Sequence, residues 1–556
     1  MQPLLECVPN FSEGRNPEII RQISETIASV EGVSLLDVDP GKATNRTVMT
    51  FVGNPDAVLE AAFQAIKKAS ELIDMRVHKG EHPRFGATDV CPLVPVSGIT
   101  MEEAAAYARK LGQRVGEELK LPVYLYESAA SAPHRKNLSN VRSGEYEGLE
   151  AKLKHPDWQP DFGPAEFVPK TGTIAIGARD FLIAVNFNLN TTSVRRANAI
   201  SFDVREAGRV VKQMDPKTGA ETEVRVPGTL KSAKAIGWFI EEYGIAQVSM
   251  NLTDIQTTSL HQAFDAVVLS ASNRGIRVSG TEIVGMVPLR VLTEAGRHYL
   301  KKQQRSVGIP DGELIRIAIK SMGLDDLGPF DPSQKVIEYK IGTNGSGKLI
   351  NQTLEQFTQS VASESPAPGG GSVAAYIASC GVSLATMVAN LSSHKRGWDD
   401  KWEYFSDWAE KGENLRRQLN AAVDADTEAF NKVMEAFGLP KSTDEEKSAR
   451  SKAIQSAQLG AVDVPLEVMR IGLEALQVAR QMVIDGNPNS VTDAAMGVSA
   501  LACGIYGAYI NVLINLKDLK DKDLANQRQE TAVQILTRSQ EIEEEIRKKV
   551  LEMLTR

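Results

Sequence analysis

The sequence predicts a multidomain protein in which two α/β subdomains are followed by an all-α helical bundle. The first observation is length, because 556 residues are too many for one hydrophobic core. The second is that strand-like and helix-like segments alternate as far as about residue 330, a pattern typical of α/β layering. The third is that apolar residues after about residue 350 recur with a helical period and form no convincing strand.

The first subdomain, predicted for residues 1–178, follows the element order β-α-β-β-α-β. That order is typical of a split βαβ, ferredoxin-like unit, and we expect a second unit of this class at 179–330. The strands of the first unit are predicted at 4–8, 33–38, 46–52 and 90–94, and its helices at 17–30 and 55–73.

A linker is predicted for residues 331–351, with a strand at 336–341. The segment 342–348 has the glycine and lysine spacing of a phosphate-binding loop, but Leu349 stands where that loop requires Ser or Thr. We therefore interpret the segment as a flexible tether. The helical domain is predicted for 352–556, with helices near 352–363, 372–392, 404–437, 443–485, 490–516 and 522–554.

Composition excludes several classes of protein. Hydrophobic residues make up 42% and charged residues 24%, as in ordinary globular chains. The net charge of -8 argues against a nucleic-acid partner, which would require a basic surface. Four widely separated cysteines form no CxxC pair, so we expect neither a disulfide framework nor a thiolate zinc site. No metal cofactor is expected. A cytoplasmic protein without a secretory signal is the expected class.

Two apolar stretches, 372–391 and 494–516, require a test for membrane insertion, because the second is long enough to span a bilayer. Its Gly and Ala content, together with Asn511 and Asn515, fits equally a helix that is buried on all sides. We expect no membrane span.

The segment 76–89 concentrates ionisable residues on a predicted loop, because two glycines and Pro83 disfavour a helix or a central strand. His78 and His82 are four residues apart, a spacing that would suit a metal site on a helix but not on this loop. A histidine here is either a proton carrier or the partner of a loop carbonyl. Spacing alone leaves both roles open.

In the helical half, Asp426 falls on the predicted core face of its helix. That face comprises Leu415, Leu419, Val423, Phe430, Val433 and Phe437. A carboxylate on a core face requires a partner or a function, and burial raises its pKa toward the range useful for acid/base catalysis. Asp426 is therefore either a catalytic group or the partner of a buried donor.

Glycines precede another long helix at 369–371, where they would let a ligand approach the backbone. Ser372 is positioned to cap that helix, although a plain turn fits equally well. Asn511 and Asn515 share a helix face with small residues, where their amides would either bind a heterocycle or bridge two helices.

These segments resemble the formimidoyltransferase cyclodeaminase family over nearly the whole chain. In the first half the resemblance lies in ECVPNFSEG at 6–14, DVD at 37–39, TNRT at 44–47, HKGEHPR at 78–84 and DFGP at 161–164. In the second half it lies in APGGGSVAA at 367–375, VDAD at 423–426 and NVLINL at 511–516.

The resemblance implies two consecutive reactions of histidine degradation. The first half would transfer the formimino group from N-formimino-L-glutamate to tetrahydrofolate, a co-substrate. The second half would cyclise the product to 5,10-methenyltetrahydrofolate and release ammonia. His82 matches the catalytic base of the first reaction and Asp426 the catalytic acid of the second. The family also implies a homo-oligomer built on helical-domain contacts.

Binding residues are expected around both catalytic groups. The folate-binding segment of the family matches Gly163, Pro164, Ala165, Glu166, Phe167, Val168, Pro169, Lys170, Thr171 and Gly172. The candidates for binding formimino-glutamate are Asp39, Asn45, Arg46, His78, Lys79 and Arg84, the cations because they match carboxylates. The candidates for a second folate site are Gly369, Gly370, Gly371, Ser372, Asn511 and Asn515.

Two other functions remain open from the sequence. The helical domain resembles stand-alone methenyltetrahydrofolate cyclohydrolases, which exchange water instead of ammonia. A folate-binding scaffold without turnover would leave His82 and Asp426 dispensable.

Overall fold

The computed structural model describes residues 3–42, 44–80, 83–214, 221–342 and 348–555. The chain forms two compact units. One comprises Met1–Leu292 and Met322–Asn344, and the other comprises Thr293–Ser321 and Gly345–Arg556. The segment Thr293–Ser321 therefore groups with the helical unit, although it lies within the range predicted for the second α/β subdomain.

The first sheet of the α/β unit contains seven strands in the described part of the chain. They are β1 (Leu4–Cys7), β2 (Asn10–Phe11), β3 (Val33–Gly41), β4 (Arg46–Gly53), β5 (Thr88–Ser97), β6 (Val123–Glu127) and β7 (Ile174–Ala178). The helices of this region are α1 (Pro17–Ala28), α2 (Pro55–Leu72), α3 (Met101–Glu118), α4 (Leu138–Val141) and α5 (Leu149–Lys154).

This sheet is mixed. The antiparallel part has the order β3-β4-β1-β5, and the parallel part continues through β5-β7-β6. The carboxyl ends of the three parallel strands therefore lie at one edge, where α/β sheets commonly bind ligands. The predicted α/β class is confirmed.

The second sheet is antiparallel, with the order β11-β12-β8-β13. Its strands are β8 (Ile183–Leu189), β11 (Ala233–Ile240), β12 (Ile245–Leu252) and β13 (Val278–Val284), and β9 (Arg209–Met214) and β10 (Glu221–Val226) form a separate pair. Helices α6 (Val194–Val204) and α7 (Leu260–Ser272) contact this sheet.

The strand predicted at 336–341 is wrong. The chain continues through α8 (Leu289–Lys302), α9 (Asp311–Met322), α10 (Pro332–Lys335) and α11 (Ile337–Gly342). Val336 makes an isolated bridge to Val287, and the next residues turn into a helix. A short apolar run does not distinguish the two conformations by its pattern. The glycine-rich tether at 343–347 lies outside the described residues.

The six predicted helices of the C-terminal region are confirmed. They are α12 (Leu354–Ala362), α13 (Gly370–Ser393), α14 (Trp402–Gly438), α15 (Asp444–Asp485), α16 (Val491–Leu516) and α17 (Lys522–Leu554). Capping boxes begin α12 at Thr353 and α15 at Thr443. Along α14, Leu415, Leu419 and Val423 are buried as predicted, but Phe437 is 46% exposed, so the core face ends before the helix does.

Two of these helices are apolar and long enough to cross a membrane, judged by length and composition alone. They are α13 and the stretch Pro488–Leu516, which contains α16. Buried residues make up 61% and 50% of their most apolar windows. A helix buried in a protein core has the same properties, so the finding assigns no membrane span.

Candidate functional site

The α/β unit contains a cavity of about 340 Å3. Strands β1, β3, β4 and β5 supply one part of its wall, and β8, β12 and β13 supply another. The polar lining residues are Glu6, Asn10, Asp37, Asp39, Arg46, Thr50, Tyr126, Arg142, Arg179 and Asn251. Two of the predicted binding residues, Asp39 and Arg46, are therefore in its wall.

Strand alternation explains why charged residues face this cavity. On β4, Arg46 and Thr50 line the cavity, whereas Met49 and Phe51 point to the opposite face and are fully buried in the core. On β1, Glu6 lines the cavity between two core residues. The period of two thus places polar groups on one face of an otherwise apolar sheet.

A buried carboxylate joins two arginines of the wall. Asp89, only 1% exposed, has its Oδ2 2.8 Å from Arg46 Nη1 and 3.0 Å from Arg142 Nη2. Arg46 also donates from Nε and Nη2 to Asn10 Oδ1, at 3.0 and 2.7 Å. Burial lowers the pKa of Arg46, and Asp89 opposes that change. The pairing with Asp89 keeps two guanidinium groups beside the cavity at a tolerable desolvation cost.

Glu6 is the buried acid of the cavity, with 3% of its surface exposed. Burial raises its pKa to about 7; Arg179 opposes the change and Glu338 adds to it. Burial, followed by repulsion from Asp37, also raises the pKa of Asp39. Glu6 is therefore an acid that can carry a proton near neutral pH.

The described part of the loop 76–89 is held by hydrogen bonds to Asn45. His78 is buried, and its Nε2 lies 2.8 Å from the carbonyl oxygen of Asn45. The Asn45 side chain donates to the carbonyl of Lys79 at 3.0 Å and accepts from the backbone N–H of Gly14 at 2.9 Å. His78 and Asn45 thus position the loop, and Lys79 is exposed. His82 lies outside the described residues.

Arg84 is also engaged by the protein. Its Nη1 donates to the carbonyl oxygens of Met75, at 2.8 Å, and His78. Its Nε and Nη2 donate to Glu147 Oε1 at 3.0 and 2.8 Å. In this conformation Arg84 supports the loop, and its binding of a substrate carboxylate stays a prediction.

The predicted folate segment 163–172 lies along the same loop. Backbone hydrogen bonds join Met75 N–H to the carbonyl of Lys170 and Ala87 N–H to the carbonyl of Thr171, both at 2.8 Å. The Phe167 ring packs on Tyr146, with centroids 5.4 Å apart. The structure therefore brings the segment 163–172 and the loop 76–89 together. None of residues 163–172 lines the 340 Å3 cavity.

Sequence reasoning missed Glu6, Arg142 and Arg179 as site residues. Glu6 carried a signal, since it is a charged residue within an otherwise apolar predicted strand. Arg142 and Arg179 carried none, because only tertiary structure brings them to the cavity.

A second candidate site lies in the helical unit. Asp426 on α14 accepts a hydrogen bond at Oδ2 from the hydroxyl of Ser372 on α13, at 3.2 Å. That hydroxyl also lies 3.2 Å from Thr427 Oγ1. Burial raises the pKa of Asp426, and the hydrogen bonds from Ser372 oppose that change. The predicted partly buried carboxylate is present, and its catalytic role stays a prediction.

The glycines before Ser372 allow this contact. A Cβ at Gly371 would collide with the Asp426 carboxylate, and one at Gly370 would lie 3.4 Å from Asn511 Nδ2. The expectation that Ser372 caps the helix is wrong, because Gly369 occupies the N-cap position and Ser372 lies inside the first turn. Its hydroxyl is directed at Asp426 instead.

The two asparagines of α16 have different surroundings. Asn511 Nδ2 donates to the carbonyl of Gly507 on its own helix, at 2.8 Å. Asn515 Nδ2 donates to the carbonyl of Ala461 on α15, at 2.7 Å. Asn515 therefore bridges helices, whereas Asn511 lies beside Gly370 at the start of α13. Among the residues that the structure describes, no cluster of three metal-ligating side chains occurs.

Three family models cover most of the chain. The Formiminotransferase domain, N-terminal subdomain, matches residues 4–179, the Formiminotransferase domain matches 184–342, and Formiminotransferase-cyclodeaminase matches 353–534. A mouse protein named formimidoyltransferase-cyclodeaminase is 44% identical over 522 residues, which are 94% of each chain. The chain belongs to the formimidoyltransferase-cyclodeaminase family.

Relatives of each half also exist as shorter proteins. A glutamate formimidoyltransferase of Streptococcus pyogenes is 40% identical over 54% of this chain and 94% of its own. A methenyltetrahydrofolate cyclohydrolase of Methylorubrum extorquens is 40% identical over 32% of this chain and 86% of its own. The two halves of this chain are thus each similar to a shorter protein that carries its own enzyme name.

Proposed function

We propose that the chain transfers the formimino group of N-formimino-L-glutamate to tetrahydrofolate and then cyclodeaminates the product to 5,10-methenyltetrahydrofolate and ammonia. The observation that carries this proposal is the 44% identity to a relative named for both activities, over 94% of both chains. The resemblance to the family supports a role for both reactions in histidine degradation.

In the first reaction, N5 of tetrahydrofolate attacks the amidine carbon of the donor. A C–N bond forms, and the tetrahedral adduct then loses glutamate by breaking the original C–N bond. His82 takes the proton from N5 and returns one to the departing amine, a contribution of ~100-fold or more for a well-placed acid/base. The family motif HKGEHPR at 78–84, which contains His82, supports this assignment.

In the second reaction, N10 of the folate attacks the formimino carbon and its proton passes to the formimino nitrogen. The bond between that carbon and that nitrogen then breaks, and ammonia leaves. The leaving nitrogen requires a proton, which Asp426 supplies. The direction of its pKa shift supports this role, because burial favours the protonated carboxyl that a proton donor requires. The glycines at the start of α13, of which Gly371 lies against the Asp426 carboxylate, support folate binding there.

A coupled assay tests both reactions. We expect the wild type, given N-formimino-L-glutamate and tetrahydrofolate, to produce equal amounts of glutamate, ammonia and methenyltetrahydrofolate, the last followed by its absorbance. His82→Ala should stop glutamate release, whereas Asp426→Asn should allow it and accumulate 5-formimidoyltetrahydrofolate. No turnover by the wild type would instead support a folate-binding scaffold.

A second function is favoured for the helical domain by its 40% identity to a methenyltetrahydrofolate cyclohydrolase. That enzyme name implies hydrolysis of the methenyl bridge by water. Supplying methenyltetrahydrofolate without formimino donor separates the two. Its rapid hydrolysis would favour the cyclohydrolase, and its formation with ammonia from the formimidoyl compound would favour the cyclodeaminase.

The remaining features of the proposal concern assembly, compartment and fold. A homo-oligomer built on helical-domain contacts is supported by exposed apolar residues on α13 and α16. A reducing cytoplasm is supported by Cys7 and Cys91, whose buried thiols lie 3.5 Å apart without a disulfide. The strand order β3-β4-β1-β5 supports the ferredoxin-like description of the first subdomain.

A further inference from the structure

The three arginines that line the 340 Å3 cavity differ in how many of their donors are occupied. Arg46 donates to Asn10 and pairs with Asp89. Arg142 pairs with Asp89 and donates to the carbonyl of Pro83. Both guanidinium groups are therefore bound by protein acceptors. Either group would have to rearrange before it could donate two parallel hydrogen bonds to a ligand.

Arg179 has most of its donors available. Its Nη1 donates to the carbonyl oxygen of Asp180 at 2.8 Å. In the described part of the chain, that carbonyl is the one acceptor bound by its guanidinium, and no carboxylate lies within 4 Å of the group. Arg179 interacts electrostatically with Glu6 and Glu127 over a longer distance. Burial raises the pKa of each acid, and the charge of Arg179 opposes that change.

The position of Arg179 is fixed by the backbone. It follows β7 directly, and its N–H donates to the carbonyl of Leu93 on β5 at 3.1 Å. It therefore stands at the carboxyl end of the parallel strands, the edge at which α/β sheets commonly bind ligands. Besides the three arginines, the cavity wall includes the acids Glu6, Asp37 and Asp39. A doubly charged anion therefore requires a cation there whose donors are available.

We propose that Arg179 binds a substrate carboxylate through its free guanidinium edge. This inference rests on the proposed formimidoyl transfer. A planar guanidinium with two parallel N–H donors matches a carboxylate, and such charge-assisted pairs are about twice as strong as neutral hydrogen bonds. The carboxylate belongs either to the formimino-glutamate donor or to the glutamyl tail of the folate, and kinetics with each substrate separate the two.

The test compares Arg179→Met, which removes the donors, with Arg179→Lys, which keeps the charge but not the two-pronged geometry. Arg21→Met is the matched control, because Arg21 is exposed on α1 and pairs only with neighbours on that helix in the described structure. For a donor carboxylate, we expect the KM for N-formimino-L-glutamate to rise about 100-fold in Arg179→Met and about 10-fold in Arg179→Lys. The control and the KM for tetrahydrofolate should stay within twofold of wild type.

A folate carboxylate gives the opposite pattern. The KM for tetrahydrofolate would then rise in Arg179→Met, and the difference from wild type would vanish with tetrahydropteroate, which lacks the glutamyl group. A donor lacking one carboxylate, N-formimino-L-glutamine, provides a further check. If Arg179 binds the carboxylate that this compound lacks, the wild type should bind N-formimino-L-glutamine more weakly than N-formimino-L-glutamate. Arg179→Met should bind the two compounds equally.

Unchanged KM values for both substrates in a folded Arg179→Met would overturn the inference. Circular dichroism establishes folding, and Arg179→Lys provides the comparison if the methionine variant does not fold. If the wild type shows no transfer, the proposed function fails separately. Calorimetry with glutamate and with tetrahydrofolate then tests whether Arg179 binds a carboxylate. Equal affinities of wild type and Arg179→Lys for both ligands would contradict this.

Discussion

At the residue scale, Glu6 shows how the alternation of a strand can bury a carboxyl group, where its charged form is destabilised. Burial raises its pKa from 4.5 to about 7. Between these pH values the folded protein binds more protons than the unfolded chain, so the free energy of unfolding falls as the pH rises. The contribution of Glu6 to the free energy of unfolding is fully present below about pH 4.5, and it is lost as the pH rises through about 7. A shift of this size corresponds to about 3 kcal/mol.

The variant Glu6→Gln should remove this pH dependence. We expect the thermal unfolding midpoint of Glu6→Gln to exceed that of wild type at pH 8 by more than it does at pH 5. Calorimetry at both pH values measures the difference. Glu25→Gln, on the exposed part of α1, is the control for losing a carboxylate. A Glu6→Gln difference that is the same at pH 5 and pH 8 would contradict the burial of Glu6.

The second residue-scale prediction concerns Ser372. Its hydroxyl opposes the effect of burial on Asp426 by hydrogen bonding to the carboxylate, so Ser372→Ala should raise the pKa of Asp426 further. In the proposed reaction the protonated form of Asp426 gives its proton to the leaving nitrogen, so activity should fall as the pH rises through that pKa. We expect the alkaline limb of the cyclodeaminase pH profile to move upward by about 0.5–1 unit.

Ser379→Ala is the matched control, since Ser379 lies on the same helix and donates to Asn420 at 2.6 Å. Its profile should match that of wild type. If the alkaline limb of Ser372→Ala stays in place or moves to lower pH, Asp426 does not act as the acid in this step.

These residues also show what a sequence can reveal about a site. Asp426 was found because a helical period predicts which face is buried, and a carboxyl on that face stands out. Arg142 and Arg179 were not found, because no local pattern relates them to β1 and β4. The geometry of His82 lies outside the described residues, so its role rests on the family resemblance.

At the element scale, α13 approaches α14 closely enough to place Ser372 against Asp426 only because position 371 lacks a side chain. A Cβ there would meet the Asp426 carboxylate. Gly371→Ala should therefore displace the helix start, at a cost of about 1–3 kcal/mol for overpacking. We expect cyclodeamination to fall at least 10-fold, while formimidoyl transfer stays unchanged.

Gly438→Ala at the end of α14 is the control, because a Cβ at that position meets nothing within 4 Å. Separate measurement of glutamate and ammonia release distinguishes the two activities. Normal ammonia release by a folded Gly371→Ala would show that the close approach is unimportant for the reaction.

Elements differed in how well their sequences predicted them. The long helices of the second half were predicted within a few residues, because their period, caps and length agree. The segment 336–341 was mistaken for a strand, because six residues contain too few turns to reveal a period. Tertiary contacts with Val287 hold its first residues in place.

At the scale of the whole molecule, the sequence predicted the α/β and helical regions, but contacts assign Thr293–Ser321 to the helical unit. Three hydrogen bonds illustrate why. Val307 N–H donates to Ser406 Oγ at 3.1 Å, Asn390 Nδ2 to the carbonyl of Gly308 at 2.8 Å, and Arg417 Nη1 to Asp311 at 2.9 Å. Partners about 100 residues away in the chain leave no local pattern, so reasoning from the sequence does not find them.

The last prediction concerns assembly. Helix α16 exposes an apolar stripe of Tyr506, Ile510 and Ile514, and α13 exposes Met387 and Leu391. The spacing of four places each set on one helix face, and contiguous exposed apolar surface marks an interaction site. A second copy of this chain is the proposed occupant. Ile510→Glu should therefore weaken association about 100-fold, since a charge in an apolar interface lacks a partner.

Light scattering coupled to size-exclusion chromatography measures the effect as a lower molar mass at equal concentration. Leu554→Glu is the control, because Leu554 is also exposed but ends α17, and its mass should equal that of wild type. A membrane would be the other apolar partner, so flotation with lipid vesicles is measured in parallel. If Ile510→Glu keeps its mass but loses vesicle binding, this face binds lipid and the homo-oligomer is built elsewhere.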